Sequence, residues 1–162
     1  MGSEMCSSYD EVCELLDRLS LDCLTLMEED IKLKINLEKA MTEGENKLAK
    51  CRYIMGPNSV SILNIPLNSE SDIEPNVSVE SSHNSEENLG ISYELITNKT
   101  EKSIDPVKWF GFLTPQYLSM AQSSYKNALK WAVEAVNVQN HLTEMFKKLQ
   151  TLKEIKCNLV ET

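Results

Sequence analysis

Histidine, glycine and the aromatic residues are scarce in this chain, and each shortage removes a class of function. The two histidines, His83 and His141, have no cysteine or paired carboxylates at metal-ligand spacing nearby. Each reads as a solvated side chain rather than a zinc ligand, and no metal site is expected. Five dispersed glycines cannot build a phosphate-cradling loop. Serine and cysteine nucleophiles are present, but none sits in a base-plus-orienter pattern, so no catalytic residue, cofactor or enzymatic activity is expected. Adjacent acids such as Glu28, Glu29 and Asp30 read as a solvated helix face. No run approaches the roughly 18 apolar residues of a membrane span. The first twenty residues include Glu4, Asp10, Glu11, Glu14 and Asp17, so no signal peptide is expected. Five cysteines (Cys6, Cys13, Cys23, Cys51, Cys157) are an odd number without C-x-x-C spacing. They read as free thiols in a reducing compartment, with Cys23 and Cys51 serving as small apolar residues. Asn76-Val77-Ser78 and Asn98-Lys99-Thr100 match a glycosylation pattern that a cytosolic chain would not use.

What is present is charge, unevenly placed. The formal net charge of −9 divides into −5 over residues 1–55, −6 over 66–104 and +2 from 105 onward. Concentrated Lys and Arg, the footprint of a nucleic-acid binder, is missing, so no nucleic-acid partner is expected. Residues 66–104 hold eight serines and eight acids against two bases. Such a segment buries too little surface to offset its ordering entropy and reads as mostly flexible. Ser69 and Ser71, each with an acid three residues on, are a weak phosphorylation context. Ile91–Thr97 is the exception and reads as a weak strand.

Two blocks carry helical periodicity. Over residues 9–55, Val12, Leu16, Leu19, Cys23 and Leu26 follow alternating four-three steps, interrupted further on at Asp30 and Gly44. A second stripe of Leu24, Met27, Ile31 and Ile35 widens the expected buried face. Gly56-Pro57 stops the helix, glycine by a left-handed cap and proline by breaking the ladder. Val60, Ile62, Leu63 and Ile65 then read as a short extended run. The second block covers residues 105–159. After Pro115, Leu118, Ala121, Tyr125, Ala128, Ala132 and Ala135 keep the rhythm, Gln139 breaks it, and Leu142, Phe146 and Leu149 resume it. The expected fold is all-α, with two long helices forming an antiparallel coiled-coil hairpin around a flexible acidic insert at residues 56–104.

Between insert and second helix lies Asp105-Pro106-Val107-Lys108-Trp109-Phe110-Gly111-Phe112-Leu113-Thr114-Pro115. Asp105-Pro106 reads as an N-cap with the first helical residue, and Gly111 ends that turn. Thr114-Pro115 repeats the start signal. Each aromatic ring can bury about 150–250 Å², which a linker has no use for. The candidate partner-binding residues are Trp109, Phe110, Phe112, Leu113, Tyr117 and Leu118, with a cap on the chain's own core as the competing role.

Three blocks resemble the coiled-coil-type assembly factors of the vacuolar-type proton ATPase. They are Ala49-Lys50-Cys51-Arg52-Tyr53-Ile54-Met55-Gly56 with Ser59-Val60, Ile73-Glu74-Pro75-Asn76-Val77, and Asp105-Pro106-Val107-Lys108-Trp109-Phe110-Gly111. The last is joined by Leu113, Pro115, Leu118, Ala121-Gln122 and Ser124. The resemblance covers both helices and hardly touches residues 66–104; residues 1–8 and the insert depart from the family pattern. It implies a non-enzymatic factor on the cytosolic face of the endoplasmic reticulum, with the ER–Golgi intermediate compartment as the alternative site. Its implied partners are a small transmembrane assembly factor and the membrane-sector subunits of the pump, with membrane association through partners only. It also implies a role in vacuolar and lysosomal acidification. Two readings compete. A prefoldin-like holdase would share the order of two long helices with short strands between them, at Ser59–Ile65 and Ile91–Thr97. A structural coiled-coil tether would need no client.

Overall fold

The computed structural model describes residues 2–65, 75–83, 91–98 and 105–161. Four main elements follow in order: α1 (Gly2–Met55), β1 (Val77–His83), β2 (Ile91–Thr97) and α2 (Gln116–Glu161). Short 3₁₀ turns lie at Ile62–Asn64 and Pro106–Phe110. The all-α expectation is therefore corrected: β1 and β2 pair into a two-stranded sheet. The pairing is antiparallel, with Ser82 Oγ 2.8 Å from Ser92 Oγ at one end and the Asn98 N–H donating to the Asn76 carbonyl at 2.9 Å at the other. β2 is the strand its alternating sequence suggests. β1, with only Val77 and Val79 as large apolar residues, is not evident from composition. Ser69, Ser71, Ile73, Glu74, Lys99 and Thr100 lie outside the described residues, as does much of the insert expected to be flexible.

The expected extended run at 59–65 is also corrected, because local hydrogen bonds close it into a turn. Ser61 Oγ caps the Leu63 N–H at 3.4 Å, and the Ile65 N–H returns to the Ile62 carbonyl at 3.1 Å. The helix before it ends as the sequence dictates, with Gly56 at φ +93°, a left-handed conformation that costs glycine least.

The chain divides into two compact units. The first draws on Met1–Lys32, Ser82–Ser92 and Ala135–Thr162. Its core sets Leu16 and Cys23 of α1 against Met145 and Leu149 of α2, flanked by Val12, Leu19, Leu26, Leu142 and Leu152. Fully burying a leucine contributes about 1.5–3 kcal/mol, so this seam is the unit's main source of stability. Its rhythm on α2 passes through Met145, which leaves Phe146 half exposed rather than in the seam. Gln139, the break in the α2 rhythm, donates to Asp30 Oδ1 at 3.3 Å, and Asp30 is the break in the α1 rhythm. Burying a carboxylate is costly unless it is hydrogen-bonded, and the Gln139 amide supplies such a bond from across the helix pair. Asn140 Nδ2 ties the Ile91 carbonyl of β2 to α2 at 2.9 Å.

The second unit comprises Leu33–Ser81 and Tyr93–Glu134. Cys51, Val60 and Leu118 form its buried cluster, with Leu48, Met55, Val107 and Phe110 packed around them. Cys51 has no exposed surface, and burial pushes its thiol pKa above the ordinary value, so it behaves as the small apolar residue the sequence suggests. Gly44 interrupts the α1 rhythm because Tyr125 occupies the space: a Cβ there would sit 3.0 Å from ring carbons. Lys47 Nζ donates to the buried Ser124 hydroxyl at 2.9 Å one turn further along.

Candidate functional site

Among the described residues no group of three His, Cys, Asp or Glu side chains could hold a metal ion, and no helix is long and apolar enough to cross a membrane. What the chain offers a partner is apolar surface, and the structure sorts it into two places.

The first is the loop end of the second unit. Asp105 accepts from the Val107 N–H at 3.1 Å and from Gln122 Nε2 at 2.7 Å, which fixes the start of the Pro106–Phe110 turn and ties it to α2. Burial pushes the Asp105 pKa up. The Val107 and Gln122 hydrogen bonds, with the positive charges of Lys126 and Lys108, outweigh it, and the net result lies below the ordinary value. A depressed carboxylate pKa stabilises the fold above the unfolded-state value of 3.8, and that contribution is lost as pH falls through the folded-state value. Asp105→Ala is therefore expected to cost about 1 kcal/mol near neutral pH, the usual cost of a lost cap. In urea titrations the gap between variant and parent should close in acid.

Gly111, at φ +124°, turns the chain sharply after Phe110. The six candidate binding residues consequently separate. Phe110 packs against the Cys51–Val60–Leu118 cluster, and Leu118 is buried within it. Trp109 is half-buried. Phe112 is wholly exposed and Leu113 nearly so. Tyr117 is exposed, with Lys50 Nζ 5.6 Å from its ring centroid. Phe110 and Leu118 thus face the core, while Phe112 and Leu113 face solvent. Near the helix stop, Tyr53, Ile62 and Leu63 are also exposed, residues that sequence reasoning did not propose as partner-binding. A cavity of about 350 Å³ opens beside the cluster, lined by Leu48, Val77, Val107, Phe110, Leu118 and Leu129 among others.

The second place is α1 within the first unit. Leu21, Leu24, Met27 and Ile31 are exposed, with Leu24 at 62% and Ile31 at 57%. The stripe expected to widen the buried face is therefore left uncovered among the described residues, and Ile35 beyond it is exposed as well. A groove of about 520 Å³ runs beside the stripe. Ser20, Cys23, Leu24 and Met27 line one wall, and Phe146, Leu149, Gln150 and Lys153 the other. Spacings of three and four residues place the stripe along one side of the helix, the geometry an incoming helix would match. His141 is half-buried on α2, and His83 is the last residue of β1.

No protein-family model matches the chain. In sequence it is similar to the human vacuolar ATPase assembly protein VMA22, 31% identical over 165 residues that cover 86% of this chain and 89% of the human protein. The mouse protein of the same name is 28% identical over 167 residues, covering 87% and 91%. The cattle protein is 28% identical over 144 residues, covering 73% and 78%.

Proposed function

Because the chain belongs to the VMA22 family of vacuolar ATPase assembly proteins, we propose that it is a non-enzymatic assembly chaperone for the membrane sector of the vacuolar-type proton pump. It works by binding helix against helix, in company with a small transmembrane assembly factor. The observation that carries this reading is the exposed stripe of Leu21, Leu24, Met27 and Ile31 beside an apolar groove. An apolar helix face left uncovered in water marks an interaction surface. An amphipathic partner helix laid along it would cover both the stripe and Phe146. Release follows when the finished pump offers that helix a better-matched neighbour, so the chaperone need only bind with intermediate strength.

On this reading the protein works at the cytosolic face of the endoplasmic reticulum, and its loss lowers acidification of the vacuole or lysosome. The test is removal of the chain from its own cell and isolation of the pump's membrane sector. A fall in assembled sector, restored by re-expressing the chain, supports the proposal. Normal assembly in its absence defeats it.

A further inference from the structure

We propose that the loop end of the second unit docks directly onto an anionic phospholipid surface, a contact separate from the helix-binding stripe and independent of the assembly reading. Across residues 46–65 and 106–133 the chain carries Lys47, Lys50, Arg52, Lys108, Lys126 and Lys130 and no acid, in a protein that has 25 acids against 16 bases. Among the described residues, Asp105 at the edge of these segments is occupied as acceptor for the Val107 N–H and Gln122, and Glu43 is paired with Lys47 at 3.1 Å. Glu45 lies about 15 Å back along α1 from Met55, at 1.5 Å per residue.

The second element is apolar exposure at that same end. Phe112 is wholly exposed, Tyr53 is 91% exposed, and Leu63 and Leu113 are each 87% exposed. All four lie within five residues of Val60, Phe110, Leu118 or Met55, the residues of the packed cluster beneath. The cluster makes the end a firm platform: Arg52 Nε holds the Val60 carbonyl at 3.3 Å, and Lys50 lies over Tyr117. Aromatic and leucine side chains at the tip, with Lys50, Arg52 and Lys108 close by in sequence, are the combination that inserts shallowly at a lipid headgroup boundary. The rings enter the interface while the cations meet lipid phosphate and serine carboxylate. A protein partner would need an acidic face to meet the same cations, and capture in detergent distinguishes that outcome. The absence of any acid over both segments, in so acidic a chain, favours an anionic surface. The contact would add a direct membrane attachment to the one expected through partners.

The test is sedimentation of the full chain with phosphatidylcholine vesicles, with and without about one third phosphatidylserine. The chain should pellet with the anionic vesicles only, and less as salt rises. Phe112→Ser with Leu113→Ser should weaken binding by about tenfold or more. Lys108→Glu should weaken it by at least roughly fivefold. All three positions are exposed, so circular dichroism should stay at the parent value. A parent chain that remains in the supernatant, or a double variant that pellets as well as the parent, overturns the proposal. In the former case, loss of protein capture by the double variant in detergent would reassign the tip to a protein partner. Neither result bears on the helix stripe, whose own test uses different residues.

Discussion

Replacing Leu24 and Ile31 by glutamate is expected to abolish capture of the assembly machinery while leaving the chain folded. Both side chains are already more than half exposed, so the folded state loses almost no packing when they change. Glutamate is also a strong helix former, so helicity should hold or rise slightly. In the complex the balance differs. Each buried leucine or isoleucine would contribute about 1.5–3 kcal/mol. Each glutamate would instead bring a carboxylate into an apolar contact, and avoiding that burial forces the helices apart. Losing even about 3 kcal/mol across the pair is more than a hundredfold in affinity. Quantitative pull-down beside far-ultraviolet circular dichroism checks this. Retained capture by a folded double variant would remove the stripe from the mechanism.

Leu118→Ala is the second large effect, and it falls on stability. Leu118 is buried with Cys51 and Val60, and Phe110 and Val107 pack on the same cluster. Truncating a buried leucine typically costs about 2–5 kcal/mol, a substantial part of a domain's total stability. The loss should fall on the second unit, whose loop segments are held together by this cluster. Vesicle binding should weaken as a consequence of unfolding. Leu118→Met, which nearly conserves volume, should cost less than about 1.5 kcal/mol and restore it. Denaturant titration of the two variants separates a core role from a contact role: an alanine variant of unaltered stability would show that Leu118 does not hold the cluster.

The helices and their ends are legible in the sequence because the signals are local. Gly56 and Gly111 do adopt positive φ, and Asp105 does cap the turn that opens at Pro106. β2 reads as a strand from its own Ile, Tyr and Leu alternation. β1 does not, because Val-Ser-Val-Glu-Ser-Ser-His carries little apolar surface. A two-stranded ribbon is marginal alone, and this one gains from packing: Val77 lines the cavity beside Phe110 and Leu129. Periodicity also revealed that the face of Leu24, Met27 and Ile31 is apolar without revealing what covers it. A heptad pattern describes one helix, whereas burial depends on the neighbour. For the same reason the breaks at Asp30, Gly44 and Gln139 read as defects in single helices. The fold makes Asp30 and Gln139 partners and fills the space at Gly44 with Tyr125.

The aromatic block shows the same limit at the scale of single residues. Phe110 and Phe112 stand two positions apart with equal claims to a core or a contact. The backbone turn at Gly111 separates them, sending one to the Val60–Leu118 cluster and leaving the other in solvent. The exposed residues Tyr53 and Leu63 carried no periodic signal because they flank the helix stop. Their relation to Phe112 and Leu113 is visible only once Val60 and Leu118 are seen to pack together.

Helix-to-helix binding within pump assembly is tested most directly by a photo-reactive residue placed at Met27 in the living cell. Met27 lies within the exposed stripe and lines its groove, so a bound helix must pass within reach of it. The account predicts a crosslink to a transmembrane assembly factor or a membrane-sector subunit of the proton pump. It also predicts that the crosslink disappears when Leu24 and Ile31 become glutamate. A chain that folds and supports pump assembly, yet gives no crosslink from this position to either class of protein, would contradict it.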